Sequence, residues 1–189
     1  MKHLKMLGLA AIAALGLLAF VGAGTASADL YTDAGKTIKY KTGTTVNATL
    51  ASGKSASLKS GSTTIATCTG GAVHGKTTNE TGTVSGNVES LTWTGCSQTT
   101  HTIANGTISI TSGGSVSGKG NQVTLGVFGT SCTYGTGEGT TLGTLSSGAE
   151  PKLVINANIP RIAGGFLCPS TGTWEAEYIV TEPHALTVG

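Results

Sequence analysis

From about Gly35 to the C-terminus the chain is built of short runs that alternate apolar and polar residues, each closed by Gly, Ser or Asn. Alternation with a period of two marks a strand with one buried face, and no helical period appears in this region. The clearest runs are Val46 to Leu50, Thr64 to Cys68, Val84 to Trp93, Thr102 to Ile110, Gln122 to Phe128, Leu153 to Ile159 and Thr173 to Val180. With the weaker runs the count reaches roughly ten to twelve strands, which argues for two packed layers rather than one open sheet. The expected fold is therefore all-β, an antiparallel two-sheet sandwich or jelly-roll-like domain. The abundance of Thr, Ser and Gly agrees, since Thr favours strands and Gly favours turns.

Within the runs, period two puts Trp174, Ala176, Tyr178 and Val180 on one face and Glu175 and Glu177 on the other. Leu153, Ile155, Ala157 and Ile159 likewise share a face, opposite Asn156 and Asn158, and Leu91 joins Trp93. Two stretches read more weakly. Residues 29–43, interrupted by Asp33, Lys36, Lys39 and Lys41, suggest a mobile arm or an edge strand, and Gly135 to Ser147 suggests a long surface loop. Gly82-Thr83-Val84-Ser85-Gly86 is faintly echoed by Gly114-Ser115-Val116-Ser117-Gly118, an echo that biased composition alone can produce.

The first 28 residues have a different character. Lys2 and Lys5 precede an apolar run from Met6 to about Gly24, and Ala26-Ser27-Ala28 offers small residues where a signal peptidase would cut. Residues 1–28 are read as a cleaved secretory signal peptide helix, of the short Ala/Leu kind that suggests a bacterial source, and residues 29–189 as one domain. An uncleaved anchor is the competing reading, because the apolar run approaches the roughly 20 residues of a membrane-spanning helix. Without Lys2 and Lys5, nine basic residues face nine acidic ones. The single Arg161 and the scattered lysines form no patch to neutralise phosphates, so a nucleic-acid partner is not expected.

Export also frames the four cysteines, Cys68, Cys96, Cys132 and Cys168, because an oxidising compartment lets them pair. Of the three connectivities, Cys68–Cys96 and Cys132–Cys168 is preferred, since neighbours in a meandering sheet tend to be neighbours in space. There is no Cys-x-x-Cys, and no His sits beside a cysteine in a ligand pattern, which argues against a zinc or redox site.

Other candidate chemistry is sparse. Gly70-Gly71-Ala72-Val73-His74-Gly75-Lys76-Thr77 matches the phosphate-binding pattern G-x-x-x-x-G-K-[ST], but the mechanism needs a helix whose first amides cradle phosphate, and Thr78-Asn79-Glu80-Thr81-Gly82-Thr83 is poor helix material. No nucleotide is expected, and no other cofactor. No Ser lies in a G-x-S-x-G elbow, and His74, His101 and His184 are far apart in the chain. Glu175 and Glu177 are the best-placed carboxylate pair for a glycosidase, but they also suit an exposed solubilising face. Trp93, Trp174 and Tyr134 could stack on sugars if exposed. Asn47-Ala48-Thr49, Asn79-Glu80-Thr81 and Asn105-Gly106-Thr107 fit the N-glycosylation triplet, which is common by chance in a Thr-rich chain.

Three segments carry a resemblance: Phe128-Gly129-Thr130-Ser131-Cys132-Thr133-Tyr134-Gly135-Thr136-Gly137, Leu142-Gly143-Thr144-Leu145, and Gly164-Gly165-Phe166-Leu167-Cys168-Pro169-Ser170. Together with the strand around Trp174 they resemble a group of small exported β-rich actinobacterial proteins with no assigned activity. The resemblance implies export and a β-rich fold and no activity. The resulting expectation is a secreted or envelope-associated, non-enzymatic structural or interaction protein, whose partners are cell-envelope components or further copies of itself. A carbohydrate- or lipid-binding module is the alternative, and an extracellular hydrolase using a carboxylate pair is the second alternative.

Overall fold

The computed structural model describes residues 29–189 apart from Thr81, Ala104 and Phe128. The leader read in residues 1–28 lies outside the described residues. All regular structure among the described residues is strand.

The strands form eight long antiparallel staves that follow one another round a ring. β1 (Leu30–Tyr31) stands apart from it. The first stave is split, with β2 (Thr45–Leu50) and β3 (Ala56–Ser60) end to end along opposite halves of β4 (Thr63–Thr77). β5 (Val84–Cys96) pairs with β4 along most of its length. Next comes one long hairpin built of four short strands: β6 (Thr100–Ile103) and β7 (Thr107–Ile110) run out, β8 (Ser115–Lys119) and β9 (Gln122–Val127) run back. Its register slips by one residue between Thr107↔Lys119 and Ile103↔Gln122, which is what divides each stave in two. β10 (Thr130–Gly135) and β11 (Thr140–Leu145) make the next stave, followed by β12 (Lys152–Ala163) and β13 (Thr171–Glu182). β13 then pairs with both β2 and β3, and the ring closes as an eight-staved barrel.

The all-β expectation is met, but the two-sheet sandwich or jelly roll is not the arrangement. Successive staves pair all round and the last pairs with the first, so the layers are opposite walls of one barrel. The strand count misled because four of the eight staves are each divided into two short strands. The stretch 135–147 is also more ordered than a surface loop, since it contains β11. Residues 29–43 carry β1, which pairs with β14 (Thr187–Val188) across one mouth of the barrel, and Leu30 is buried there.

Side chains alternate as period two requires. Ile155, Ala157 and Ile159 of β12 and Trp174, Ala176, Tyr178 and Val180 of β13 point inward and are buried, whereas Asn156, Asn158, Glu175 and Glu177 line the outside. An apolar lumen inside a wall carrying Lys and Glu ion pairs is the reverse of a membrane-spanning barrel, whose apolar band faces outward. No helix among the described residues is long and apolar enough to cross a membrane.

The lumen has two unlike halves. Towards the hairpins β3–β4, β5–β6, β9–β10 and β12–β13 it is filled by Leu58, Trp93, Leu125, Tyr134, Trp174 and Tyr178. Trp93 meets Trp174 edge to face, ring centres 5.6 Å apart, and its Nε1 donates to the Tyr178 hydroxyl at 3.0 Å. Gly71 makes room for this stack, because a Cβ there would lie 2.9 Å from Trp93 Cδ1. Towards the mouth spanned by β1 and β14 the lining has no aromatic ring and is mostly Val, Ile and Leu.

Candidate functional site

The two ends of the barrel differ in charge. The turn segments at the filled end are Gly61-Ser62, Ser97-Gln98-Thr99, Gly129 and Gly164 to Ser170, and none contains a charged residue. At the mouth stand Asp29, Asp33, Lys36, Lys39, Lys41, Glu80, Glu150 and Lys152. The charges on the strands nearest the filled end are neutralised or tied down. Lys59 pairs with Glu175, and the guanidinium of Arg161 donates to the carbonyls of Gly165, at 2.8 Å, and Cys168.

The loop joining β12 to β13 projects from this uncharged pole. Phe166 is 93% exposed and Leu167 47%, and Ile162, near the end of β12 that leads into the loop, is 51% exposed. An apolar ring so free of protein is costly to hydrate, and it is not there because the loop is loose. The Cys132–Cys168 disulfide pins the loop to β10. Arg161 holds it from one side, the Tyr134 hydroxyl rises from the core to donate to Pro169 O at 3.2 Å, and Cys168 N donates to Gly165 O at 3.1 Å. Gly164 allows the turn, with φ of 128° and no space for a Cβ, which would lie 2.7 Å from Cys168 Sγ. The second disulfide, Cys68–Cys96, crosses directly opposed residues of β4 and β5 near the same pole. Both bridges therefore brace the end that presents Phe166, and such bridges suit an extracytoplasmic location.

The other candidates from the sequence fall elsewhere. Gly70 to Thr77 lies wholly within β4, so its glycine amides serve the sheet rather than a phosphate cradle. Glu177, on the outer wall, pairs with Lys54 at 3.2 Å and Lys152 at 3.5 Å, and the Lys54 hydrogen bond holds its pKa below the ordinary value. Glu175 is taken by Lys59. His74 sits on the outer face of β4, with Nε2 3.1 Å from Glu89 Oε2 and Nδ1 against Asn47 Oδ1. Asn47 Nδ2 in turn donates to Glu182 at 2.6 Å. His184 borders a shallow polar groove with Tyr40, Thr44 and Asn47, and His101 lies exposed on β6. These contacts bring neither a hydroxyl nor a second histidine onto His74. No group of three or more His, Cys, Asp or Glu among the described residues is arranged to hold a metal. Trp174 and Tyr134 are buried and Trp93 is half-buried, so the sugar-stacking platform these rings could have formed is turned into the barrel.

The exposure of Phe166 was missed from the sequence, where it reads as one more apolar residue beside a cysteine. Its run, Gly-Gly-Phe-Leu-Cys-Pro, has no polar alternation to give it an inward face, and that was the available signal. No protein-family model matches the chain, and no match is found among curated proteins or solved structures.

Proposed function

We propose that this is an exported, non-enzymatic interaction protein of the cell envelope that docks on lipid through its uncharged pole. The observation that carries the reading is a 93% exposed Phe166 on a loop locked by a disulfide, at an end whose turn segments carry no charged residue. A rigid apolar tip loses little conformational entropy on binding, so most of its burial energy is available for docking. Burying a Phe or a Leu is worth roughly 1.5–3 kcal/mol each, which supports weak, reversible attachment. Lipid is favoured over water-filled surroundings because the turns about the tip carry only hydroxyl, amide and apolar groups, and no carboxylate must be desolvated there. The disulfides and the leader read in the sequence fit an extracytoplasmic setting.

Flotation with vesicles of mixed zwitterionic and anionic lipid tests the reading. The protein should co-float, and Phe166→Ser with Leu167→Ser should reduce partitioning at least about tenfold, as expected for losing more than 1.4 kcal/mol. The variant keeps its fold because neither side chain packs in the core. Equal flotation of both proteins, or none by either, overturns the reading.

A further inference from the structure

We infer that the mouth half of the lumen is a binding site for a small apolar molecule or for the terminal carbons of an alkyl chain. An eight-stranded barrel can either be filled by its own side chains or hold one small ligand. This barrel does the first in one half and leaves the second open. Beyond the Trp93, Trp174 and Tyr178 stack, the staves contribute Val46, Val84, Ile108, Val116, Leu145 and Val180, and between them lies a cavity of about 90 Å³. The cavity is lined almost wholly by carbon, with Lys76, Thr77, Ser85 and Asn87 present only along the β4–β5 seam. A void lined in this way stays dry and takes apolar guests; an engineered cavity of about 150 Å³ admits benzene or xenon. The smaller volume here limits the guest to about that size or to the end of a chain.

The cavity also has a door. Leu30 and Leu186 cap it. Leu30 belongs to β1, whose ladder with β14 is short: Leu30↔Val188, Tyr31↔Thr187 and the two backbone hydrogen bonds between Asp29 and Gly189. Leu186 is held by its bridge to Gly148, and the neighbouring Ala185 O accepts from Tyr40 Oη at 2.6 Å. Two short strands are far easier to displace than a stave of the barrel, and they give the guest a path. The cavity lies at the opposite end from Phe166 and is independent of docking there.

The test follows the Val and Leu methyl resonances of the oxidised protein as xenon, benzene or octanoate is added. Saturable shifts of Val84, Val116 and Val180, with those of the Phe166 loop unmoved, are the expected result for xenon or benzene. If octanoate moves the same methyls, the guest is an alkyl-chain end; if only xenon and benzene do, it is a free small molecule. Val116→Leu, which intrudes on the cavity without adding polarity, should weaken binding at least tenfold. No shift with any probe, shifts confined to the Leu167 methyls, or undiminished binding by Val116→Leu overturns the inference.

Discussion

Val116→Leu also makes a sharp prediction about stability, independent of any guest. Val116 is 1% exposed on β8 and faces the 90 Å³ cavity. At about 24 cal/mol per Å³, leaving that space empty costs roughly 2 kcal/mol, which bounds what filling it could return. One added methylene is worth about 0.8 kcal/mol, so the variant should be about 0.5–1 kcal/mol more stable than the parent. The matched control is Ala157→Val. Ala157 is also 1% exposed, but it pairs with Trp174 in the filled half, where extra carbon should cost about 1–3 kcal/mol. Urea unfolding with the disulfides intact, followed by fluorescence of Trp93 and Trp174, measures both. Opposite signs are expected. If Val116→Leu destabilises as Ala157→Val does, the mouth half is packed and the division of the lumen is wrong.

Burial pushes the Tyr178 hydroxyl up to about 12, against an ordinary value of 10.0. The unfolded chain then releases its proton first as pH rises, so stability is full below pH 10 and about 2–3 kcal/mol is lost between 10 and 12; Tyr178→Phe should flatten that fall while costing about 1 kcal/mol at neutral pH, where Trp93 Nε1 loses its acceptor. Acid acts through Glu177 and Asp29, whose pKa values are lowered first of all by hydrogen bonds from Lys54 and Lys39. Their stabilisation is present above the unfolded carboxylate pKa and lost as pH falls through the folded values, so Lys54→Met should give a shallower acid loss in stability curves taken from pH 7 to 2. Replacing Cys132 and Cys168 by Ala opens a loop of sequence separation 36. It should cost about 3–4 kcal/mol in urea unfolding and expose the Gly164 to Ser170 backbone to rapid hydrogen exchange, whereas unchanged exchange would mean that the loop does not depend on the bridge.

What the sequence disclosed was local. The inward faces of β12 and β13 follow from strict alternation around Ile155 and Tyr178, and the structure places them as read. Strands such as Ser115–Lys119 and Thr140–Leu145 escaped notice because glycines interrupt the apolar series. In β8 the Gly118 position is filled by Leu142 from β11, with Leu142 Cδ1 2.7 Å from where a Cβ would stand. Closure was not legible, because it depends on β13 meeting β2 and β3 across more than a hundred residues, and a run of strands carries no mark of whether its ends meet. The same holds for the pole: the hairpin turns between residues 60 and 171 are scattered along the chain, and their shared lack of charge becomes visible only when the meander gathers every second turn at one end.

Closure has a consequence for how copies of this chain can meet. A Thr- and Val-rich sheet with free edges offers unpaired amides and carbonyls on which further strands can grow. In this ring much of that edge is taken up by neighbours, but among the described residues β6 pairs with β9 alone and β5 meets β7 only from Val84 to Asn87, while the short β1–β14 ribbon lies outside the ring. Continued backbone hydrogen bonding is thereby confined to the β5–β6 flank and the edges of that ribbon. Over the rest of the ring, contact between copies falls to side chains, and Phe166 and Leu167 are exposed apolar ones.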